Sequence, residues 1–274
     1  MMIKQWQYFL LAVGFFTRIP VPNQVNFQES DLNHSVKYFP LIGLLVGLLG
    51  AFTYYVSALI FPHSIAIIAS MAATVFVTGA FHEDGLADSA DGLGGGWQRE
   101  QVLTIMQDSR LGTYGALTLF FVLLAKFELL GNMHADMTML ALICAHPLSR
   151  LCAIWLMASL PYAKANSNYS GKAKPLATEI SRIDLCIANL FGLLPILLLI
   201  GLIQMTIDNW QATLAYVCFL ASAMGAGWCW WHALLKRKLN GYTGDTLGAV
   251  QQISEIMFYF ASLAWLQMIA AWTI

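Results

Sequence analysis

Seven apolar stretches, each close to the length of one bilayer-crossing helix, constrain this chain more than any other feature. A helix rising about 1.5 Å per residue needs about 20 mostly apolar residues to cross the hydrocarbon core. Phe39–Phe61, Ser64–Phe81, Thr113–Gly131, Met137–Leu160, Ile183–Ile207, Gln211–Leu235 and Ile253–Ile274 meet that requirement. Charged residues are 11% of the chain, against about 25% in soluble domains, too few to clothe a water-facing surface. The fold class expected is all-α: a polytopic transmembrane helical bundle of about seven spans. One integral-membrane domain covers residues 1–274, with residues 1–38 as an N-terminal interfacial segment and residues 39–274 as the bundle. Within that first segment Met1–Phe16 is apolar and Trp6 and Tyr8 suit headgroup depth. No small-residue cleavage site follows, which argues against a signal peptide.

The connections sort into two kinds. Pro62-His63, Asn132 to Asp136 and Asp208 to Trp210 are short and contain no Lys or Arg. His82 to Gly112, Pro161 to Arg182 and Lys236 to Gln252 are long and polar. Alternating seven spans puts the long connections and the N-terminus on one side, together with Lys4, Arg18, Lys37, Arg99, Arg110, Lys164, Lys172, Lys174, Arg182 and Lys236 to Lys238. The positive-inside rule makes that side cytoplasmic. Gly43, Gly47 and Gly50 share a face of the first span and predict close helix packing there. The five cysteines all sit in apolar stretches with no CxxC pair, so neither a disulfide framework nor a zinc site is expected. No basic run suggests nucleic acid.

The chemistry concentrates in the first long connection. Glu83, Asp84, Asp88 and Asp91 place four carboxylates within nine positions. On a helix, Asp84, Asp88 and Asp91 fall at i, i+4 and i+7, one face. Two carboxylates about 6 Å apart repel by roughly 3 kcal/mol at an effective dielectric of about 20. A divalent cation is the natural compensation, and hard oxygen ligands favour magnesium, manganese or calcium over zinc. Magnesium takes few protein carboxylates and leaves room for phosphate oxygens. A solvated acidic loop is the plain alternative, but its spacers here are Gly, Leu and Ala rather than Lys, Ser and Asn. Gly94, Gly95 and Gly96 follow at once, either as a hinge or as a backbone cradle for a phosphate. Downstream, Asp108 is placed to complete a metal shell and Arg110 to meet phosphate as a planar fork. Asp108 or Ser109 is equally suited to cap the next span.

Two other places draw attention. His146 and Arg150 lie four apart inside the fourth span, with Ser149 beside them. A charge at that depth costs about 2.5–3.5 kcal/mol on the insertion scale, so it faces a polar cavity. Arg150 is read as an anion or substrate contact, with a structural pair to a neighbouring carboxylate as the alternative. Between spans six and seven, Asn240 to Ala249 offers Asp245 as a metal ligand or base and Thr243 and Thr246 as phosphate contacts, with Glu255 further on. A capped turn is the alternative. Lys172 and Lys174 suit either an anionic nucleotide or topology.

His-Glu-Asp-Gly-Leu-Ala-Asp-x-Ala-Asp-Gly at 82–92, Asp-Ser-Arg-x-Gly-Thr-Tyr-Gly at 108–115, Ser-Arg at 149–150 and Gly-Tyr-Thr-Gly-Asp at 241–245 together resemble the cobalamin synthase family. Its members are adenosylcobinamide-GDP ribazoletransferases. The Thr17 to Pro22 stretch resembles that family too, so the likeness runs nearly end to end. The resemblance implies a magnesium enzyme of the last steps of vitamin B12 biosynthesis, in the bacterial inner membrane. A ribose hydroxyl of α-ribazole, or of its 5′-phosphate, would attack the phosphorus of adenosylcobinamide-GDP nearer cobinamide, and GMP would leave. Glu83, Asp84, Asp88, Asp91 and Asp108 would hold Mg2+; Arg110 and Arg150 would stabilise charge on GMP; Asp84 or Asp245 would accept the proton. Gly94 to Gly96, Thr243 and His146 would line the substrate site. Partners implied are these two substrates and the lipid bilayer, no nucleic acid, with a homo-oligomer compatible. A CDP-alcohol phosphotransferase of lipid synthesis is the nearest rival, but its Asp-Gly is followed after two residues by Ala-Arg, where this chain has Asp88-Ser89. A transporter would gather its polar groups at the midplane, whereas here they gather in connections on one side.

Overall fold

The computed structural model describes residues 2–22, 29–163, 179–207 and 209–272. Eleven α-helices run along them: α1 (Met2–Phe16), α2 (Glu29–Ser35), α3 (Phe39–Ala58), α4 (His63–Thr78), α5 (Phe81–Gly95), α6 (Arg99–Met106), α7 (Thr113–Gly131), α8 (Ala135–Ser159), α9 (Arg182–Ile207), α10 (Trp210–Lys238) and α11 (Gly244–Trp272). Each expected apolar stretch falls on a helix, and among the described residues there is no named β-strand. Asp31–Ala58, α7, α8, most of α9 and α10 are each long and apolar enough to cross a membrane, and α4 with α5 makes a sixth if that bent pair is one broken span. The seventh stretch lies on α11, which runs on from Ile253. The Lys172 and Lys174 region lies outside the described residues.

α8 is the central post. Of its apolar window 78% is buried, whereas α7, on the rim, buries 17%. The glycine face of α3 explains how α8 becomes so enclosed. A Cβ on Gly43 would sit 2.5 Å from the His146 carbonyl oxygen, and one on Gly47 2.6 Å from that of Leu142. Both helices therefore touch backbone to backbone, the small-residue packing that replaces hydrophobic drive in a bilayer. α11 lies against α8 on another side, and the Trp231 indole of α10 donates to the Thr246 carbonyl at 3.1 Å, tying α10 to the start of α11. Pro147 and Pro195 sit inside α8 and α9 without ending them, as neighbouring helices allow in membranes. The N-terminal segment is pinned to α9: Lys37 Nζ lies 2.8 Å and His34 Nδ1 2.9 Å from the Asp184 carboxylate.

The first long connection is not a loop. α5 begins within two residues of the end of α4 and turns through 85°. Gly79 (φ 65°) and Ala80 (φ 58°) make that corner in the left-handed region. Arg18 backs the corner, its amide donating to the Val77 carbonyl at 2.7 Å, and any side chain at 79 would collide with its guanidinium stem. α4 is 16 residues long, about 24 Å at the usual rise. The turn thus carries α5 sharply off the line of α4.

Candidate active site

On α5 successive side chains are rotated by about 100°, which turns Glu83 away from Asp84 and Asp88. Asp84 is exposed and Asp88 half-buried on the outer side. α11 brings a third carboxylate to them. A Cβ on Gly85 would lie 2.8 Å from the Asp245 carbonyl oxygen, and a Cβ on Gly248 3.2 Å from that of His82. Glycine at both positions lets the two helices meet at backbone distance, and the half-buried Asp245 arrives beside α5. These polar first turns of α11 precede its apolar stretch.

The electrostatics follow from that meeting. Burial, then the charges of Asp245, Asp84 and Asp91, raise the Asp88 carboxyl to about 7. Burial, then Asp84, raise Asp245 to about 6. Three negative groups from two distant segments repel across one small surface, and oxygen donors of this kind suit a hard divalent cation. Among the described residues no three His, Cys, Asp or Glu side chains converge tightly enough to hold an ion unaided. A magnesium ion would find at most a partial protein shell here, its other ligands coming from water and phosphate.

The other expected residues are placed differently. Asp91 is 8% exposed, and its two oxygens accept from the Gly112 amide at 2.8 Å and the Gly115 amide at 2.9 Å. It brackets the start of α7 instead of joining the outer pair, because those amides have no partner within their own helix. Asp108 accepts the Arg110 guanidinium, Nε to Oδ1 at 3.0 Å, on the exposed link between α6 and α7. That pairing lowers the Asp108 carboxyl. Gly94 and Gly95 are helical, the last turn of α5, and Gly96 caps it. A helix C-terminus presents carbonyl oxygens and repels phosphate. These glycines instead admit neighbours: a Cβ on Gly94 would strike the Tyr114 ring and one on Gly96 the Val102 amide. Thr243 and Thr246 cap α11 reciprocally, each hydroxyl accepting the other's amide at 3.3 and 2.8 Å. Thr243 is 8% exposed, and its hydroxyl accepts the Thr246 amide in that cap.

Glu83, His146 and Arg150 lie in a separate polar interior. Arg150 is 1% exposed, with Nη1 donating to the His146 carbonyl at 3.0 Å. The Glu255 carboxylate sits at its centre. Lys126 Nζ reaches it at 2.8 Å, Gln251 Nε2 at 2.6 Å, the Tyr259 hydroxyl at 3.2 Å, and His146 Nδ1 lies 3.3 Å away. Glu83 accepts from Gln252 Nε2 at 3.0 Å and so points inward, away from Asp84 and Asp88. Lys126, Gln251 and Gln252 escaped the sequence reading. Lys126 had a signal: a lysine inside an apolar span is as costly as an arginine, so the argument that singled out Arg150 applied to it equally.

Fold and site together define a polytopic helical membrane protein with an acidic cluster where α5 meets the start of α11. The chain belongs to the cobalamin-5-phosphate synthase family, whose model matches residues 8–263. It is 43% identical over 270 residues to an adenosylcobinamide-GDP ribazoletransferase of Shewanella frigidimarina, covering 96% of each chain. A protein of the same name from Ralstonia nicotianae is 43% identical over 259 residues, 93% of this chain and 94% of its own. One from Vibrio parahaemolyticus is 40% identical over 264 residues, 96% of this chain and 94% of its own. No solved structure matches.

Proposed function

We propose that this chain is an adenosylcobinamide-GDP ribazoletransferase that works with Mg2+ at the cytoplasmic face of the bacterial inner membrane. A ribose hydroxyl of α-ribazole, or of its 5′-phosphate, attacks the phosphorus nearer cobinamide. The bond from that phosphorus to the bridging oxygen breaks, GMP leaves, and adenosylcobalamin or its 5′-phosphate forms. Mg2+ would neutralise charge on the diphosphate and polarise the attacked phosphorus. Asp84, Asp88 and Asp245 are the residues that would hold it. Phosphoryl transfer asks mainly for positioning and charge neutralisation. Whichever of Asp84 and Asp245 stays outside the metal shell would take the hydroxyl proton. Arg110, exposed and paired with Asp108, is the guanidinium that would meet the departing nucleotide. The long, basic connections on one face support the cytoplasmic orientation.

The observation that carries this reading is the contact of α5 with the start of α11, which unites two motifs more than a hundred and fifty residues apart, as Gly85 against Asp245 shows. The test is direct: purified protein in nanodiscs, supplied with adenosylcobinamide-GDP, α-ribazole and Mg2+, releases GMP. Release no faster than in empty nanodiscs overturns the proposal.

A further inference from the structure

The polar interior beneath α5 has an odd composition for a bundle core. Five buried side-chain atoms around it have no protein partner among the described residues: His82 Nε2, Glu83 Oε2, His146 Nε2, Arg150 Nε and Gln252 Oε1. Formal charges balance, with Lys126 and Arg150 against Glu83 and Glu255. A balanced mixture of donors and acceptors suits water and not an ion. The interior is also the place where α5 is tied to the rest of the bundle. Glu83 comes from α5, Lys126 from α7, His146 and Arg150 from α8, and Gln252 and Glu255 from α11.

α5 is therefore held at both ends by its own acids. Asp91 grips the start of α7 near the C-terminal end, through two amide hydrogen bonds. Glu83 grips Gln252 near the N-terminal end, with Oε2 shut off from solvent in the cavity it shares with Arg150. The two anchors are eight residues apart, about 12 Å along the helix, and Asp84 and Asp88 stand between them on the outer side. The hinge at Gly79 and Ala80 is two residues in the left-handed region, which sets a turn but leaves the far arm of it to be located by contacts. A tether one residue before Asp84 decides where that carboxylate points.

We propose that Glu83 is a positioning residue and not a metal ligand: bound to Gln252 and enclosed with Arg150, it fixes the angle of α5 and so aims Asp84 and Asp88 at the site. This rests on the transferase reading above for its kinetic consequences, but not for its binding consequences.

The experiment compares Glu83→Gln, Glu83→Ala, Gln252→Ala and Asp88→Asn in nanodiscs, with Mn2+ binding measured by electron paramagnetic resonance without substrates, and kcat and KM measured with them. Gln at 83 keeps an oxygen for Gln252 but is a poor metal ligand. Glu83→Gln keeps Mn2+ affinity within about threefold of wild type and most of kcat, while Asp88→Asn weakens Mn2+ by about tenfold or more. Gln252→Ala, which removes no carboxylate, leaves Mn2+ affinity within about threefold of wild type and lowers kcat about tenfold with KM little changed, since misaimed groups forfeit orientation. Glu83→Ala with Gln252→Ala is no worse than either alone, as for partners in one interaction. Loss of Mn2+ binding in Glu83→Gln to the extent seen in Asp88→Asn overturns the proposal, as does wild-type kcat in Gln252→Ala. Should Glu83→Ala fail to fold, Glu83→Gln and Gln252→Ala still decide the matter. Absence of GMP release by the wild-type protein would sink the transferase reading alone, because the Mn2+ titrations would still assign Glu83.

Discussion

Gly85 of α5 lies against the backbone of Asp245 at the head of α11, so close that a methyl group on Gly85 would stand 2.8 Å from the Asp245 carbonyl oxygen. The absence of a side chain at one position thereby sets the location of a carboxylate on another helix. Gly85→Ala should push the start of α11 off α5. Forced overpacking of this kind costs about 1–3 kcal/mol, which a bundle with this much other contact survives. The expected result is a folded, monodisperse protein with kcat reduced about tenfold or more, since a displacement near 1 Å at reacting groups is that costly. Circular dichroism with GMP-release kinetics checks it; a fully active Gly85→Ala protein would show that the approach of these helices does not matter.

The pH behaviour of the acidic face follows from the same approach. Asp88 is raised to about 7 and Asp245 to about 6, both above the usual carboxylate value near 3.9. The folded protein without metal therefore holds protons that the unfolded chain would release. The contribution of these two groups to stability is greatest at low pH and falls as pH rises from about 4 through about 7. A cation competes with those protons, so its affinity moves the other way. Mn2+ binding should strengthen by up to about tenfold per pH unit for each proton displaced below pH 6, and level off above about pH 8. Thermal unfolding should show the metal-free protein losing stability between pH 5.5 and 8, and added Mg2+ should reverse most of the loss. Metal affinity flat across that range would mean the carboxylates are not the ligands.

Much of this site was legible in the residues, and the failures have identifiable physics. The spacing of Asp84 and Asp88 already placed them on one helical face, and the structure keeps them together. Glu83 sits next to Asp84 in the chain, yet a helix turns it by about 100° into the interior, a separation that a run of acids conceals. Gly94 to Gly96 had the look of a hinge because glycine disfavours helix; the Tyr114 ring that presses on Gly94 comes from the next span, and Val102 presses on Gly96 from α6. Asp91 and Thr243 were named for chemistry, whereas each serves a helix terminus whose amides need acceptors. The approach of Asp245 to α5 could not be read from either segment alone, since it depends on two glycines facing each other. The seven apolar stretches, by contrast, needed only length and composition, which is why helices fall on all of them.

The Lys126–Glu255 pair joins α7 to α11 at 2.8 Å in the bundle interior. Both side chains are nearly inaccessible, at 6% and 4% exposure. Removing one partner of such a pair strands the other, at a cost of about 3–5 kcal/mol. Lys126→Met should thus lower the unfolding temperature sharply, and so should Glu255→Leu. The double variant should recover a substantial part, because an apolar pair leaves no charge behind. Glu255 also accepts from Gln251 and Tyr259, so recovery should stop short of wild type. Thermal unfolding in one detergent across the four proteins reads this cycle; strictly additive losses would show that the two side chains do not act as a pair.

Arg110 and Arg150 were both candidates for the nucleotide's phosphate, and the structure separates them. Arg150 is sealed within the bundle at 1% exposure, whereas the Arg110 side chain is 87% exposed. Arg110 also stands near α5, because the Gly112 amide two residues on is held by Asp91. Among the described residues its partner is Asp108, a neighbour in sequence that keeps the guanidinium in its charged form and orients its fork. An exposed pair of this kind is weak and screened by salt, so a phosphate can take the fork from it. Arg110→Ala should therefore raise KM for adenosylcobinamide-GDP by about tenfold with no loss of thermal stability, the loss one charged hydrogen-bonding contact accounts for. Arg110→Lys should recover only part, since an ammonium cannot offer two parallel donors. Arg150→Ala should instead reduce the unfolding temperature, because it empties a buried position among charged groups. Unchanged kinetics in Arg110→Ala, with the KM effect appearing in a stable Arg150→Ala protein, would exchange the two assignments.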